Sequence, residues 1–229
     1  MQTLISEPRV SDANANGLTS RLMACGVAAG PVYISVALIQ AFTRPGFDLL
    51  RHDVSLLSNG ELGWVQITNF LVSGLLTMAC ALGMKRALHS GPASGWGALL
   101  VGVYGLGLIG AGIFTADPAQ GFPPGAPAQP GAISWHGLLH FVSAAPGFLA
   151  LIAACFVLAR RFAAAGERKW AAFSVLSGIS FFAGFAGIAS GSGQSWIIIC
   201  FWIALVLVWA WLALVALRLI NQLKHQEKI

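Results

Sequence analysis

Six apolar stretches, at about residues 22–42, 63–83, 95–115, 134–159, 170–189 and 195–220, are each long enough to cross a bilayer's hydrocarbon core as a helix. None alternates strictly between apolar and polar positions, as the strands of a membrane barrel would. Backbone amides in lipid must be bonded within their own segment or in a closed barrel, so these runs predict an all-α integral membrane bundle of six transmembrane helices. The expected division is a tail over 1–21, a transmembrane domain over 22–220 and a second tail over 221–229. The first twenty residues are polar and carry no early apolar run, so the first span is expected to be retained as an anchor.

Between the first two spans the pattern changes. In AFTRPGFDLLRHDVSLLSNGELGW, Phe47, Leu50, Val54 and Leu57 recur at helical intervals, while Asp48, His52, Ser55 and Asn59 fall on another face. This predicts a short amphipathic helix from near Phe47 to Asn59, stopped by Gly60, with Leu50 and Val54 buried at the outer interface. The segment between spans three and four, TADPAQGFPPGAPAQPGAISW, holds Asp117 and five prolines, which predicts a stiff, extended lid or connector.

Composition agrees with a chain built for lipid. Hydrophobic residues make up 57% of the 229 and charged residues only 9%, against about 25% charged in soluble domains. The net charge of +5 is a matter of topology. Arg9, Arg21, Lys85, Arg86, Arg160, Arg161, Arg168, Lys169, Arg218, Lys224 and Lys228 all fall on one side, and only Arg44 and Arg51 lie opposite. Basic residues resist translocation, so both termini are expected in the cytoplasm, in the cell's inner (plasma) membrane, with no nucleic-acid partner. Cys25, Cys80, Cys155 and Cys200 lie inside apolar runs and read as core residues. Glycines crowd the third span, where small residues let helices approach closely.

The candidate chemistry gathers at the outer face. His136 and His140 stand four residues apart on one helical face, which Ser143 continues. Two such histidines with His52 would hold zinc, and a carboxylate from Asp48, Asp53 or Asp117 would complete the set. The spacing lacks the glutamate of the HExxH motif, and interhelical hydrogen bonds account for the histidines equally well. Gln66, Asn69, Ser73 and Thr77 form a polar stripe along the second span that either joins helices or lines a cavity.

Together these suggest an outward-facing pocket for a lipid-like or amphiphilic small molecule, lined by Gln66, Asn69, Ser73 and Ser143. A metal-assisted membrane hydrolase would use His52, His136 and His140 as zinc ligands and Asp48 or Asp117 as general base. Arg44 or Arg51 would stabilise developing negative charge, with Ser55 on the face of His52. The non-catalytic alternative is an accessory subunit of a larger membrane complex or a small transporter, so enzyme activity stays open. Trp196, Trp202, Trp209 and Trp211 crowd the last span and suit contact with lipid or with another membrane subunit. No span carries a mid-depth carboxylate of the kind a transporter uses.

The segments RPGFDLLRHDVSLLSNGELGWVQITNF and FTADPAQGFPPG, followed by WHGLLHF, resemble the signature of a prokaryotic membrane family, domain of unknown function 998 (DUF998). The resemblance covers essentially the whole chain. It implies six helices and marks the outer loops as the family's characteristic part, drawing attention to Arg44, Asp48, His52, Ser55, Gly60 and Trp64, and to Asn69, Asp117, Pro118, His136 and His140. It implies no activity.

Overall fold

A computed structural model describes residues 10–88, 93–128 and 131–226. Arg9, His89 and Lys228 lie outside the described residues. The helices are α1 (Val10–Thr43), α2 (Gly63–Ala87), α3 (Ala93–Ile113), α4 (Trp135–Ala164), α5 (Arg168–Ala189) and α6 (Ser195–Gln226). All six are long and apolar enough to span a membrane, and the described residues contain no strand. The chain is therefore a multi-pass membrane protein. The first and last helices overrun their apolar stretches at the end where both termini lie, because nothing in the flanking polar residues breaks a helix there.

Each helix packs on its neighbours in sequence, and α6 returns to α1, so the bundle closes as a ring in chain order. Aromatic side chains from α1, α3 and α6 fill its middle. The Trp209 ring lies 5.1 Å from that of Tyr33 and 5.5 Å from that of Tyr104, and all three are buried. Trp202 and Trp211 are buried as well, which leaves only Trp196 of the four α6 tryptophans exposed. Three of the α6 tryptophans are thus core, and only Trp196 is left to face lipid or a partner. The ring fills with indoles because lipid supplies no hydrophobic drive between helices, so dense packing must hold them. Of the cysteines, Cys80 and Cys155 are buried, Cys25 is half-buried and Cys200 is exposed, which corrects the core assignment for the last.

Small residues set the spacing on one side of the ring. A Cβ on Gly74 of α2 would sit 2.8 Å from the Gly105 carbonyl oxygen of α3, and one on Gly107 would sit 3.0 Å from the Gly147 Cα of α4. Between α1 and α2 the joint is polar. Gln40 Nε2 donates to Gln66 Oε1 at 2.9 Å, and Asn69 Nδ2 donates to the Tyr33 carbonyl at 3.0 Å and to Gln66 Oε1 at 3.2 Å. Thr77 donates to the Ser73 carbonyl one turn back, at 2.7 Å. The polar stripe of α2 therefore joins helices, because buried amides in lipid must find partners.

The connection from α1 to α2 departs from the expected amphipathic helix. Residues 48–52 make one turn, closed by the His52 amide on the Asp48 carbonyl at 2.8 Å, and a separate 3-10 helix follows at Val54–Ser58. Val54 is buried as expected, but Leu50 is 53% exposed. The cause is local competition for amides. Asp48 Oδ1 takes the Leu50 amide at 2.8 Å and Asp53 Oδ1 takes the Ser55 amide at 2.9 Å, so two short acids divide the segment into two capped turns. Asp48, His52 and Ser55 accordingly do not share the face of one helix.

Candidate functional site

The α1–α2 and α3–α4 connections dock on each other. Arg44, at the end of α1, donates to the carbonyls of Leu57 and Asn59 and lies 4.8 Å over the Phe122 ring. It is buried, and desolvation lowers its pKa. Its guanidinium is committed to backbone and ring, so Arg44 is a clamp between loops and is not placed to stabilise a reacting anion. Arg51 is exposed and does not line the cleft described below. Phe122 is fully buried against Phe47 and His52, at centroid separations of 5.1 and 5.5 Å. Phe122 thereby packs the proline-rich segment against the α1–α2 connection.

His52 is held on both ring nitrogens. The Asp48 amide can only donate, so His52 Nδ1 accepts from it at 2.9 Å, and the proton of the neutral ring sits on Nε2, 3.1 Å from the Gln120 carbonyl. The His52 carbonyl accepts from the Trp202 indole at 3.1 Å, which ties both loops to α6. No lone pair on the neutral ring remains for a metal.

His140 is oriented by α3. The carbonyls of Ala111 and Phe114, at 3.1 and 2.8 Å, can only accept, so Nδ1 carries the proton and Nε2 keeps a free lone pair. His136 instead lies tilted against Trp135 at 3.5 Å between centroids, and its Nδ1 has no hydrogen-bond partner among the described residues. Among the described residues no group of three or more His, Cys, Asp or Glu is placed to hold a metal ion. The expected zinc set of His52, His136 and His140 is thus not assembled. Although His136 and His140 are one turn apart, each histidine has its own surroundings.

Other expected site residues also take structural work. Asp117 binds the amide of Ser134 at 2.8 Å and the Ser134 hydroxyl, and so fixes the start of α4. A Cβ on Gly137 would meet its carboxylate, so this glycine makes room for the acid. Asp48 is exposed and engaged in its own turn. Ser143 packs against Gly110 of α3, and none of Gln66, Asn69, Ser73 and Ser143 lines the cleft between α4 and α5.

That cleft, of about 380 Å³, lies between α4 and α5 beneath the two loops. Its long walls are apolar, with Phe141, Phe148, Phe185, Ile188 and Phe201, and its polar end carries Asp53, Ser55, Asp117 and His140. Burial pushes the Asp53 carboxyl above the usual carboxylate range, against the opposing pull of the Ser55 and Leu56 amides and of nearby His140 and His52. Asp53 is the residue whose importance the residue pattern understated. It stands beside Asp48 and His52 in sequence with nothing local to distinguish it, and only the fold turns it toward α4. Its place as cap of the 3-10 helix was the one available signal.

No curated protein and no solved structure matches the chain. The family model described as protein of unknown function (DUF998) matches residues 27–218, a stretch that runs from within α1 to within α6 and takes in the α1–α2 and α3–α4 connections and the residues that line the cleft. On that match the chain belongs to the DUF998 family.

Proposed function

We propose that the protein binds a lipid-like or amphiphilic small molecule in the cleft between α4 and α5, at the outer face of the cell's inner (plasma) membrane. The observation that carries this reading is an apolar trough closed at one end by a desolvated carboxyl, Asp53, and by the unpartnered Nε2 of His140. A tail would lie against Phe148, Phe185 and Phe201 while a head group met the polar end beneath the loops. The middle of the ring is packed with Tyr33, Tyr104 and Trp209, which favours binding at one face over passage through the bundle. Catalysis by zinc is not carried forward, since the neutral His52 ring has both nitrogens engaged.

Ala145 lines the cleft, so Ala145→Phe should occupy it. The amount of native lipid or amphiphile that copurifies with the variant, read by mass spectrometry, is expected to fall several-fold. Leu106→Phe, on an exposed apolar face of α3, should leave it unchanged. Equal retention by the two variants would remove the cleft from consideration.

The proposed orientation has both termini in the cytoplasm, and it rests on the placement of eleven of the thirteen basic residues. In a cysteine-free background, a cysteine at exposed Ala128 should react with an impermeant thiol reagent in intact cells, whereas one at exposed Ala165 should react only after lysis. The reverse pattern would invert the topology and place the cleft at the cytoplasmic face.

A further inference from the structure

We infer that the head group taken by this cleft is a primary ammonium on an amphiphile, an inference that rests on the binding reading above. The argument is one of donors and acceptors. His140 keeps only 8% of its surface exposed, and its Nδ1 hydrogen is spent on the last carbonyls of α3. In the neutral ring Nε2 is therefore an acceptor, on the other side of a ring that lines the cleft. Asp53 takes the Ser55 amide on Oδ1, and the Leu56 amide also acts on the carboxyl, which as a carboxylate still has acceptor sites left. Asp117 adds a second carboxylate to the same end.

Among the described residues no Lys or Arg lines the cleft, and the Arg44 guanidinium is committed to the carbonyls of Leu57 and Asn59. The polar end thus offers acceptors and negative charge, and among the described lining residues only Ser55 carries a side-chain hydroxyl. An anionic head group would meet carboxylates with no cation to offset them. A quaternary ammonium has the charge but no N–H. A primary ammonium brings three donors and a positive charge, which suits the Asp53 carboxylate and His140 Nε2 together while the chain lies along the phenylalanines.

The test uses the full chain in a neutral maltoside detergent, titrated calorimetrically with dodecylammonium, dodecyltrimethylammonium and dodecanoate, with chain-free micelles as blank. Dodecylammonium is expected to bind at least about tenfold more tightly than either analogue of equal chain length, the difference one charge-assisted hydrogen bond supplies. Asp53→Asn keeps an oxygen for the Ser55 amide and should fold, yet lose that preference. Should the variant not fold, the head-group comparison on the unaltered chain still decides. Equal binding of the three probes, or a folded D53N with undiminished selectivity, overturns the inference. If A145F abolishes binding of all three probes without head-group preference, the cleft stands and the ammonium inference falls. If A145F leaves every affinity unchanged, the cleft itself falls. A further arm in nanodiscs compares enrichment of phosphatidylethanolamine over phosphatidylcholine. Enrichment assigns the ammonium to a phospholipid, and its absence alongside dodecylammonium binding assigns it to a simple alkylamine.

Discussion

Replacing Arg44 by Met is expected to destabilise the protein by roughly 3–5 kcal/mol, the loss of two charge-assisted hydrogen bonds, one to a buried and one to a part-buried carbonyl. The methionine would retain part of the apolar stem's packing but leave the carbonyls of Leu57 and Asn59 without the guanidinium and the Phe122 face without its cation. Thermal unfolding in detergent should show the drop, and limited proteolysis should reveal the segment around Phe122 cut sooner. Arg44→Lys, with one compact ammonium in place of a fork, should recover about half of the loss. An unchanged midpoint for Arg44→Met would mean that the loops are held by the His52 and Trp202 contacts alone.

Gly105→Leu is expected to open the α2–α3 seam. A Cβ at that position already lies 2.9 Å from the Gly74 carbonyl oxygen and 2.8 Å from Met78 Cγ, so a leucine cannot enter without separating two backbones. Overpacking of this kind costs about 1–3 kcal/mol where neighbours can give, and more where the obstacle is main chain. The variant should elute as a broadened, partly aggregated species with a lowered unfolding midpoint. Gly95→Leu, in the same helix with nothing within 4 Å of its Cβ, is the matched control. Indistinguishable behaviour of the two would show that the seam tolerates separation.

The six spans were legible because a run of apolar residues is a local property, and the bilayer converts it into a helix regardless of what packs beside it. The connection between α1 and α2 was not. Its apolar residues keep a helical period, yet Asp48 and Asp53 each capture an amide two residues on, a competition that periodicity does not weigh. At the site, the i, i+4 relation of His136 and His140 was readable, but the carbonyls that fix the His140 proton belong to α3 and enter only through tertiary packing. The same holds for the choice among the acids. Asp48 and Asp117 were the candidate bases and Asp53 only one of three possible metal-ligating acids, until the fold exposed the first, tied the second to Ser134 and buried the third at the cleft. Tryptophans in α6 misled because an indole at a membrane interface and an indole in a bundle core have the same sequence signature.

The return of α6 to α1 also sets an order on assembly. Helices reach the bilayer in the order of synthesis, so α1 to α5 are in place while the indole that belongs between Tyr33 and Tyr104 has yet to arrive. At that stage the protein is a horseshoe with two free edges, one on α1 and one on α5. Either edge accepts a sixth helix whichever chain it comes from, so exchange of α6 between copies is the misassembly to which this architecture is most prone.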